Sequence, residues 1–460
     1  MTGYRLEKDA LGTVRVPADR YWGATTQRSL ENFPIGNTRM PEQLIRAFAV
    51  QKKAAALANH SLGVLDGPLA QAIAAAAEEI ADGRLADHFP LVVWQTGSGT
   101  QTNMNLNEVI ANRANQLLGQ PLGKKAPVHP NDHVNLSQSS NDSFPTAMHL
   151  AVAVDLSKRL IPALERLHLA LNDKAASFAE LVKIGRTHLQ DAVPLTLGQE
   201  FSGWAAQIGQ NLRRLRAVLP DLACVAQGGT AIGTGLNAPP GFAKAFCAEL
   251  SVLSGLPFVA ADNPFAAIAA HDTLVDCSAA LNTLAVSLTK IANDIRLLAS
   301  GPRCGLGELT LPANEPGSSF MPGKVNPTQA EALIMVAARV IGNHVTVTVA
   351  GAGGQLQLNA CKPVIADAVL QSIGLLADAA LSFTDRCVTG IGANRQRLDD
   401  LVQRSLMLVS ALAPHIGYDA TAAIARLAED QDLDLRQAAL ASGLISAEQF
   451  DRWVRPEEMT

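Results

Sequence analysis

Residues 264–300 read PFAAIAAHDTLVDCSAALNTLAVSLTKIANDIRLLAS, and they carry the clearest hydrophobic period in the chain. Apolar side chains recur every seven residues in two series, which are Leu274, Leu281, Leu288 and Ile295, and Cys277, Leu284, Ile291 and Leu298. This alternating spacing of three and four residues predicts one long helix that packs along another helix. Gly301 and Pro302 predict where that helix ends.

Four other apolar-periodic stretches, each bounded by Pro, Gly or Asn, predict further long helices. They cover residues 144–184, 195–226, 327–349 and 363–388. At 1.5 Å per residue, such elements would be roughly 50–60 Å long. One chain of 460 residues cannot easily bury all sides of several such helices, so we expect the bundle to continue into other subunits.

The chain is therefore predicted to be mainly all-α, with three domains. Turn-rich pieces among shorter helices indicate an N-terminal domain, mixed but mostly helical, at residues 1–140. The long-helix bundle is expected at residues 141–395, where it would form the helical core of a multi-subunit assembly. A small, more polar helical domain is expected at residues 396–460.

Composition supports an oligomeric helical protein. Apolar residues make up 48% and aromatic residues only 4%, so the core must be aliphatic and alanine-rich. Charged residues make up 17%, below the ~25% of an average soluble domain, which favours extensive hidden surface. The net charge of −5 argues against nucleic acid as a partner. Because polar residues interrupt the longest apolar span, residues 333–349, we expect no membrane-spanning helix.

The six cysteines lie far apart, without a CxxC pair or a histidine at zinc-site spacing. We interpret them as buried free thiols in a reducing compartment. The first nine residues contain acidic side chains and no apolar run, unlike a secretory signal. We therefore expect a cytoplasmic protein.

Four unusually polar segments lie among the predicted helices and are the candidate site. They are residues 96–105 (TGSGTQTNMN), 137–142 (SQSSND), 185–194 (GRTHLQDAVP) and 314–327 (NEPGSSFMPGKVNP). Hydroxyls, amides and backbone N–H groups at a helix start can hold a carboxylate, although helix capping alone also uses such residues. In the last segment, Lys324 and Asn326 can offer a cation and an amide to an anion. His188 by itself could equally be a structural hydrogen-bonding residue.

Residues 317–327, GSSFMPGKVNP, resemble the signature of the fumarase/aspartase superfamily, whose members eliminate a leaving group β to a carboxylate and release fumarate. Residues 96–105, 185–191 and 228–237 resemble the class II fumarate hydratases of that superfamily, and the likeness covers nearly the whole chain. The nearest alternative is aspartate ammonia-lyase, whose members typically carry Gln in place of His188 and Pro-Ala-Lys in place of Pro322-Gly323-Lys324. Another fumarate-releasing lyase and a non-catalytic structural homologue are further alternatives.

The resemblance implies roles for the residues that match the family motifs in the hydration of fumarate to malate, a step of the tricarboxylic acid cycle. Ser318 is the expected base for the C3 proton of malate, provided that Lys324 and loop N–H groups stabilise its alkoxide. His188, polarised by Glu331, is expected to handle the water at C2. The residues expected to bind the substrate are Ser98, Gly99, Thr100, Ser139, Ser140, Asn141, Thr187, Ser319, Lys324, Val325 and Asn326.

The same resemblance implies a homotetramer with shared active sites, dicarboxylates as ligands, and no metal or other cofactor. It also implies a second dicarboxylate site, built in the family around a segment that here comprises His129, Pro130, Asn131 and Asp132. An arginine precedes that segment in the family, whereas this chain has Ala126 at that position. Because a bidentate guanidinium contact is missing, we expect anion binding there to be weak.

Overall fold

The computed structural model describes residues 3–460 and is mainly α-helical, which confirms the predicted fold class. Its strands and helices in chain order are β1 (Tyr4–Asp9), β2 (Gly12–Pro17), α1 (Ala24–Asn32), α2 (Glu42–Ser61), α3 (Gly67–Ala81), α4 (Thr100–Leu117), α5 (Ser140–Asp155), α6 (Ile161–Ser177), β3 (Val182–Thr187), β4 (Gln190–Thr196), α7 (Leu197–Ala217), α8 (Leu219–Leu222), β5 (Cys224–Val225), α9 (Phe242–Ser254), β6 (Val259–Ala260), α10 (Pro264–Ala269), α11 (Asp272–Leu298), β7 (Leu309–Thr310), α12 (Thr328–Gly351), α13 (Lys362–Arg386), β8 (Gly392–Ala393), α14 (Arg395–Arg404), α15 (Ala413–Ile416), α16 (Tyr418–Asp430), α17 (Leu435–Ala441) and α18 (Ala447–Trp453).

The heptad stretch forms two helices rather than one. α10 ends at Ala269 because Ala270 adopts an extended backbone conformation, and α11 then runs for 27 residues. All eight seam positions from Leu274 to Leu298 are buried, with at most 6% of any side chain exposed. The seam predicted from the seven-residue repeat is therefore confirmed.

The stretch predicted as one helix over residues 144–184 is wrong at its C-terminal end. α5 passes through a π-helical turn at Leu156–Leu160 into α6, which ends at Ser177. The chain then forms β3, which pairs with β4 in an antiparallel hairpin. β-Branched side chains at positions such as Val182 and Ile184 favour this extended conformation over helix.

The chain divides into two compact units by spatial contact. One comprises the chain up to Pro162 together with Arg213–Ala285 and Ala337–Ala377. The other comprises Ala163–Leu212, Val286–Val336 and Asp378–Thr460. We call them unit 1 and unit 2. The domain boundaries at 1–140, 141–395 and 396–460 stay a prediction.

Within unit 2, the C-terminal helices have a hydrophobic core of their own. Leu412 and Ile424 are fully buried in it, and Ile184 of β3 belongs to the same cluster. Two of the helices begin with a reciprocal capping box, made by Asp434 in α17 and Ser446 in α18. The β3–β4 hairpin is therefore held against a well-defined helical support.

Three helical segments among the described residues are long and apolar enough to span a membrane, judged by length and composition only: α11, α12 and Lys362–Gly390. α12 meets these criteria despite its polar residues, and the expectation that no helix spans a membrane stays a prediction. Only 28% of the most apolar window of α12 is buried, and Met335, Val345 and Val349 are exposed. An exposed apolar helix face is typical of a surface that packs against another molecule.

The cysteines are all free, but they are not all buried. Cys247, Cys277 and Cys387 are buried, Cys224 and Cys361 are half-buried, and Cys304 is exposed. The interpretation as buried thiols therefore holds for three of the six.

Candidate active site

The segment 96–105 supplies a loop and the first turn of α4. Gly99 precedes the helix with a φ of 76°, and a Cβ at this position would lie 2.2 Å from the ring of Phe144, so only glycine fits. Thr100 is the first helical residue, and its hydroxyl lies 2.9 Å from that of Ser98. This places two predicted substrate-binding hydroxyls at the N-terminus of a helix, where an anion is favoured.

The segment 137–142 begins α5 and meets the first segment within unit 1. Ser139 is the N-cap residue, and its backbone N–H donates to the Asp142 carboxylate over 2.9 Å. The Asn103 side chain donates to the Ser140 hydroxyl over 2.9 Å. The Asn141 side chain donates to the carbonyl oxygen of Ala231 over 2.8 Å, which brings in the segment 228–237. The segments 96–105, 137–142 and 228–237 therefore converge in unit 1.

Asp142 holds these segments together, a role that the sequence analysis missed. Its carboxylate is fully buried and accepts hydrogen bonds from the backbone N–H groups of Gly228 at 3.0 Å and Thr230 at 2.9 Å. Burial raises the pKa of Asp142 to about 6, against the opposing effect of these hydrogen bonds. The carboxylate therefore organises the turn that contains Ser140 and Asn141.

Lys52 of α2 is a second buried charged residue near these segments, also missed from sequence. Its ammonium donates to the side-chain oxygens of Asn135 at 3.1 Å and Gln138 at 3.0 Å. Burial lowers the pKa of Lys52 to about 7, with Asp142 acting in the opposite direction. The polar run Gln51-Lys52-Lys53 in α2 gave no local sign that Lys52 is buried, since a second lysine follows it directly.

In unit 2, His188 lies at the tip of the β3–β4 hairpin. His188 and Leu189 have φ values of 57° and 61°, so both central residues of the two-residue turn are left-handed. Neither is glycine, and such backbone strain is concentrated at functional sites. Thr187 and His188 are both exposed, and among residues 3–460 no hydrogen-bond partner of the imidazole is found.

The signature segment forms a closed loop in unit 2. The N–H of Gly317 donates to the carbonyl oxygen of Lys324 over 2.8 Å, and the Asn326 amide donates to the carbonyl oxygen of Gly317 over 2.6 Å. A Cβ on Gly317 would lie 2.5 Å from the Lys324 carbonyl oxygen, which explains the glycine. Asn326 therefore closes the loop on which Ser318 lies.

Ser318 receives two backbone hydrogen bonds within that loop. Its Oγ accepts from the N–H of Phe320 at 3.1 Å and from the N–H of Met321 at 2.9 Å. Hydrogen bonds donated to an oxygen favour its anionic form. This arrangement can therefore stabilise a serine alkoxide.

The remaining predicted site residues of unit 2 form no side-chain hydrogen bond or ion pair with one another among the described residues. Ser319, Lys324 and Val325 are exposed, and Glu331 is half-buried in the first turn of α12. Within the described part of the chain, no hydrogen bond or ion pair joins His188 to Glu331 or to Ser318. The predicted polarisation of His188 by Glu331 stays a prediction.

The segment matching the second dicarboxylate site uses its own donors internally. The ring Nδ1 of His129 accepts from the N–H groups of Asn131 and Asp132, both at 3.2 Å. Pro130 has no N–H, and Ala126 is exposed. Backbone donors that could meet an anion are therefore already engaged by the histidine.

No group of three or more His, Cys, Asp or Glu side chains in residues 3–460 could hold a metal ion.

Comparison with known proteins places this geometry in a family. A model described as lyase matches residues 12–342, and a model described as the fumarase C C-terminus matches residues 408–460. The chain therefore belongs to this lyase family, as the motifs indicated.

Within the family, the chain is similar to fumarate hydratases over nearly its whole length. It is 60% identical over 455 residues to a class II fumarate hydratase of Methylorubrum extorquens, covering 99% of this chain and 96% of the relative. It is 59% identical to a mitochondrial fumarate hydratase of Rhizopus oryzae, covering 99% and 92%. The crystal structure of a class II fumarase from Schistosoma mansoni superposes with a TM-score of 0.97 at 46% identity, covering 99% of both chains.

Proposed function

We propose that this chain is a class II fumarate hydratase, a hydro-lyase that adds water reversibly and in the anti sense to fumarate to give (S)-malate. Relatives at about 60% identity carry that name. The observation in this chain that carries the proposal is the pair of N–H groups that donate to Ser318 Oγ.

The reaction requires a base that removes a weakly acidic proton from C3 of malate. A serine hydroxyl is a poor base, and its alkoxide becomes accessible only when nearby groups stabilise the negative charge. The N–H groups of Phe320 and Met321 do so directly, and the Lys324 ammonium on the same loop adds a positive charge. Ser318 therefore takes the C3 proton.

The resulting dianion needs donors at both carboxylates, and the C2 hydroxyl must leave as water. Lys324 and Asn326 contact one carboxylate, and the hydroxyl and amide groups at the N-termini of α4 and α5, supplied by another subunit, contact the other. His188, with Glu331 as its partner, donates the proton to the leaving hydroxide.

The test is to supply purified enzyme with malate and, separately, with aspartate, and to follow the ultraviolet absorbance of fumarate. We expect fumarate from malate only. Formation of fumarate from aspartate but not malate would establish the ammonia-lyase instead, and no turnover of either would favour the structural homologue.

We further propose a cytoplasmic homotetramer with active sites shared between subunits. The exposed apolar face of α12 supports the proposal, because packing against copies of the same helix would cover it. The absence of a His188–Glu331 contact within residues 3–460 supports sharing of the site. Analytical ultracentrifugation should give a mass about four times 48.4 kDa, and a monomer would contradict the proposal.

A further inference from the structure

The β3–β4 hairpin is anchored by a buried cluster of charges in unit 2. Lys183 and Arg186 extend from β3, and both pair with Glu308, which is fully buried. The Arg186 guanidinium lies 2.6 Å from Glu308 Oε1, and the Lys183 ammonium lies 3.0 Å from Oε2. Lys183 also pairs with Glu200 of α7 at 2.9 Å. Two cations and two carboxylates therefore balance at the base of the hairpin.

The backbone of Glu308 is itself fixed on both sides. Its N–H donates to the carbonyl oxygen of Leu298, the last residue of α11, over 2.9 Å. Its carbonyl oxygen accepts from the N–H of Asn394 over 2.9 Å. Glu308 therefore ties the hairpin to the C-terminal end of α11 and to Asn394, immediately before β7 and the segment that leads to Ser318.

The β3–β4 hairpin has a register shift next to Arg186, the residue that pairs with Glu308. The register of β3 against β4 shifts between Ile184 and Arg186, which leaves Gly185 as a bulge. A bulge redirects the side chains that follow it and is common beside functional sites. Arg186 lies two residues before His188, so its anchoring restrains the strained turn at the hairpin tip.

A contribution to the folding stability does not by itself explain why charged residues occupy these buried positions. Taking several charges out of water is costly, and apolar side chains of similar volume often stabilise a fold equally well. Unlike an apolar contact, a guanidinium–carboxylate pair fixes the relative orientation of its two side chains, because their hydrogen bonds form only in narrow orientations.

We propose that Glu308 is a positioning residue, whose carboxylate sets the place of the His188 turn through Arg186 and Lys183. The proposal rests on the proposed function, in which His188 takes part in the reaction. Glu308 does not contact the substrate and acts only through the hairpin.

The test compares Glu308→Gln with wild-type enzyme in the assembled form. Glutamine keeps the shape but leaves Arg186 with a neutral partner in place of the carboxylate, while Lys183 keeps its pair with Glu200. We expect kcat to fall roughly 10- to 100-fold, the scale of a slightly misplaced reacting group, while the KM for malate changes much less. Glu308→Asp, which restores the charge, should recover part of kcat.

A second readout reports on His188 directly. Diethyl pyrocarbonate acylates imidazoles, and peptide mass spectrometry measures the rate of acylation of His188 separately from that of the other histidines. We expect that rate to change at least severalfold in Glu308→Gln. The matched control is Glu79→Gln, which breaks the partly buried Glu79–Arg113 pair of unit 1 and should leave both kcat and the His188 rate unchanged.

An unchanged kcat or an unchanged His188 rate in Glu308→Gln would overturn the proposal, as would equal changes in the control. If Glu308→Gln does not fold, Arg186→Lys is measured instead with the same expectations, because it keeps the charge but loses the guanidinium geometry. Failure of the proposed function is distinct: wild-type enzyme would then lack hydratase activity, while the acylation rates would still decide the role of Glu308.

Discussion

For single residues, the clearest case is Ser318, whose environment supports the proposed role of its hydroxyl as a base. The motif alone implied the role, whereas the loop conformation adds the N–H donors of Phe320 and Met321. Those donors exist because Gly317 permits the close approach of the Lys324 carbonyl, which closes the loop. The proposed role of Ser318 therefore depends on a glycine that takes no part in the proposed chemistry.

Replacing Ser318 with alanine should lower kcat for malate at least ~10²-fold, because a proton-transfer group is lost. Binding should change much less, which steady-state kinetics can separate from turnover. The control is Ser442→Ala in the C-terminal helices, where the hydroxyl also accepts a backbone N–H from two residues onward. Near-normal kcat in Ser318→Ala would mean that another group is the base.

His271, at the start of α11, should make the enzyme sensitive to mild acid. Burial lowers the pKa of His271 to about 3, with Lys362 and His149 acting in the same direction. The unfolded chain binds a proton near pH 6.5 and the folded chain does not, so stability is lost as pH falls from about 6.5 towards 3. The slope is up to about 1.4 kcal/mol per pH unit.

Calorimetric Tm values between pH 6.5 and 5 test this for His271. His271→Gln should show a smaller decline of Tm with falling pH than wild type, whereas the exposed His60→Gln should match wild type. Parallel declines in all three proteins would contradict the argument.

At the scale of elements, the segment around His129 shows how a local turn can occupy its own donors. The His129 ring caps the π-helical turn that follows it, and its Nδ1 is free of a proton because it accepts two backbone N–H hydrogen bonds. Burial also lowers the pKa of this imidazole. A neutral ring without a neighbouring arginine offers little to a dicarboxylate.

Wild-type crystals soaked in malate should therefore show weak occupancy at residues 129–132. Ala126→Arg should raise that occupancy by restoring a guanidinium, with a gain in affinity of about tenfold for one charge-assisted contact. Ala126→Gln is the control, since it adds length without charge. A well-ordered malate in wild type, at the occupancy of the main site, would refute the expectation.

For the whole molecule, the exposed apolar face of α12 supports the proposed homotetramer. In α12, Met335 is 68% exposed and Val349 is 69% exposed, and contact of such apolar side chains with water is unfavourable. Assembly of several copies would cover these side chains and bring groups from different chains into one site.

Complementation tests whether His188 and Lys324 of one site come from different subunits. His188→Asn and Lys324→Ala proteins should each be nearly inactive. When they are refolded together in equal amounts, about a quarter of the sites should draw both wild-type residues by chance and regain activity. Mixed tetramers that form, as native mass spectrometry would show, yet remain inactive would establish that the site lies within one chain.

Features that depend on near neighbours along the chain could be predicted from the amino-acid sequence. The periodic stretch at residues 327–349 corresponds to α12 and the stretch at 363–388 to α13, because helix formation and termination depend on residues within a few turns. The motif at 317–327 likewise identified the family, since its residues are contiguous.

Features whose partners are distant in sequence could not be predicted, because they depend on how the chain packs in three dimensions. Residues 182–187 form a strand rather than the end of a helix, because β4 pairs with them and Ile184 packs into the C-terminal core. Arg186 meets Glu308 across 122 residues of sequence, a pairing that no local pattern specifies. Burial of a charge depends on which surfaces the fold brings together, and that is a property of the packed chain rather than of any segment.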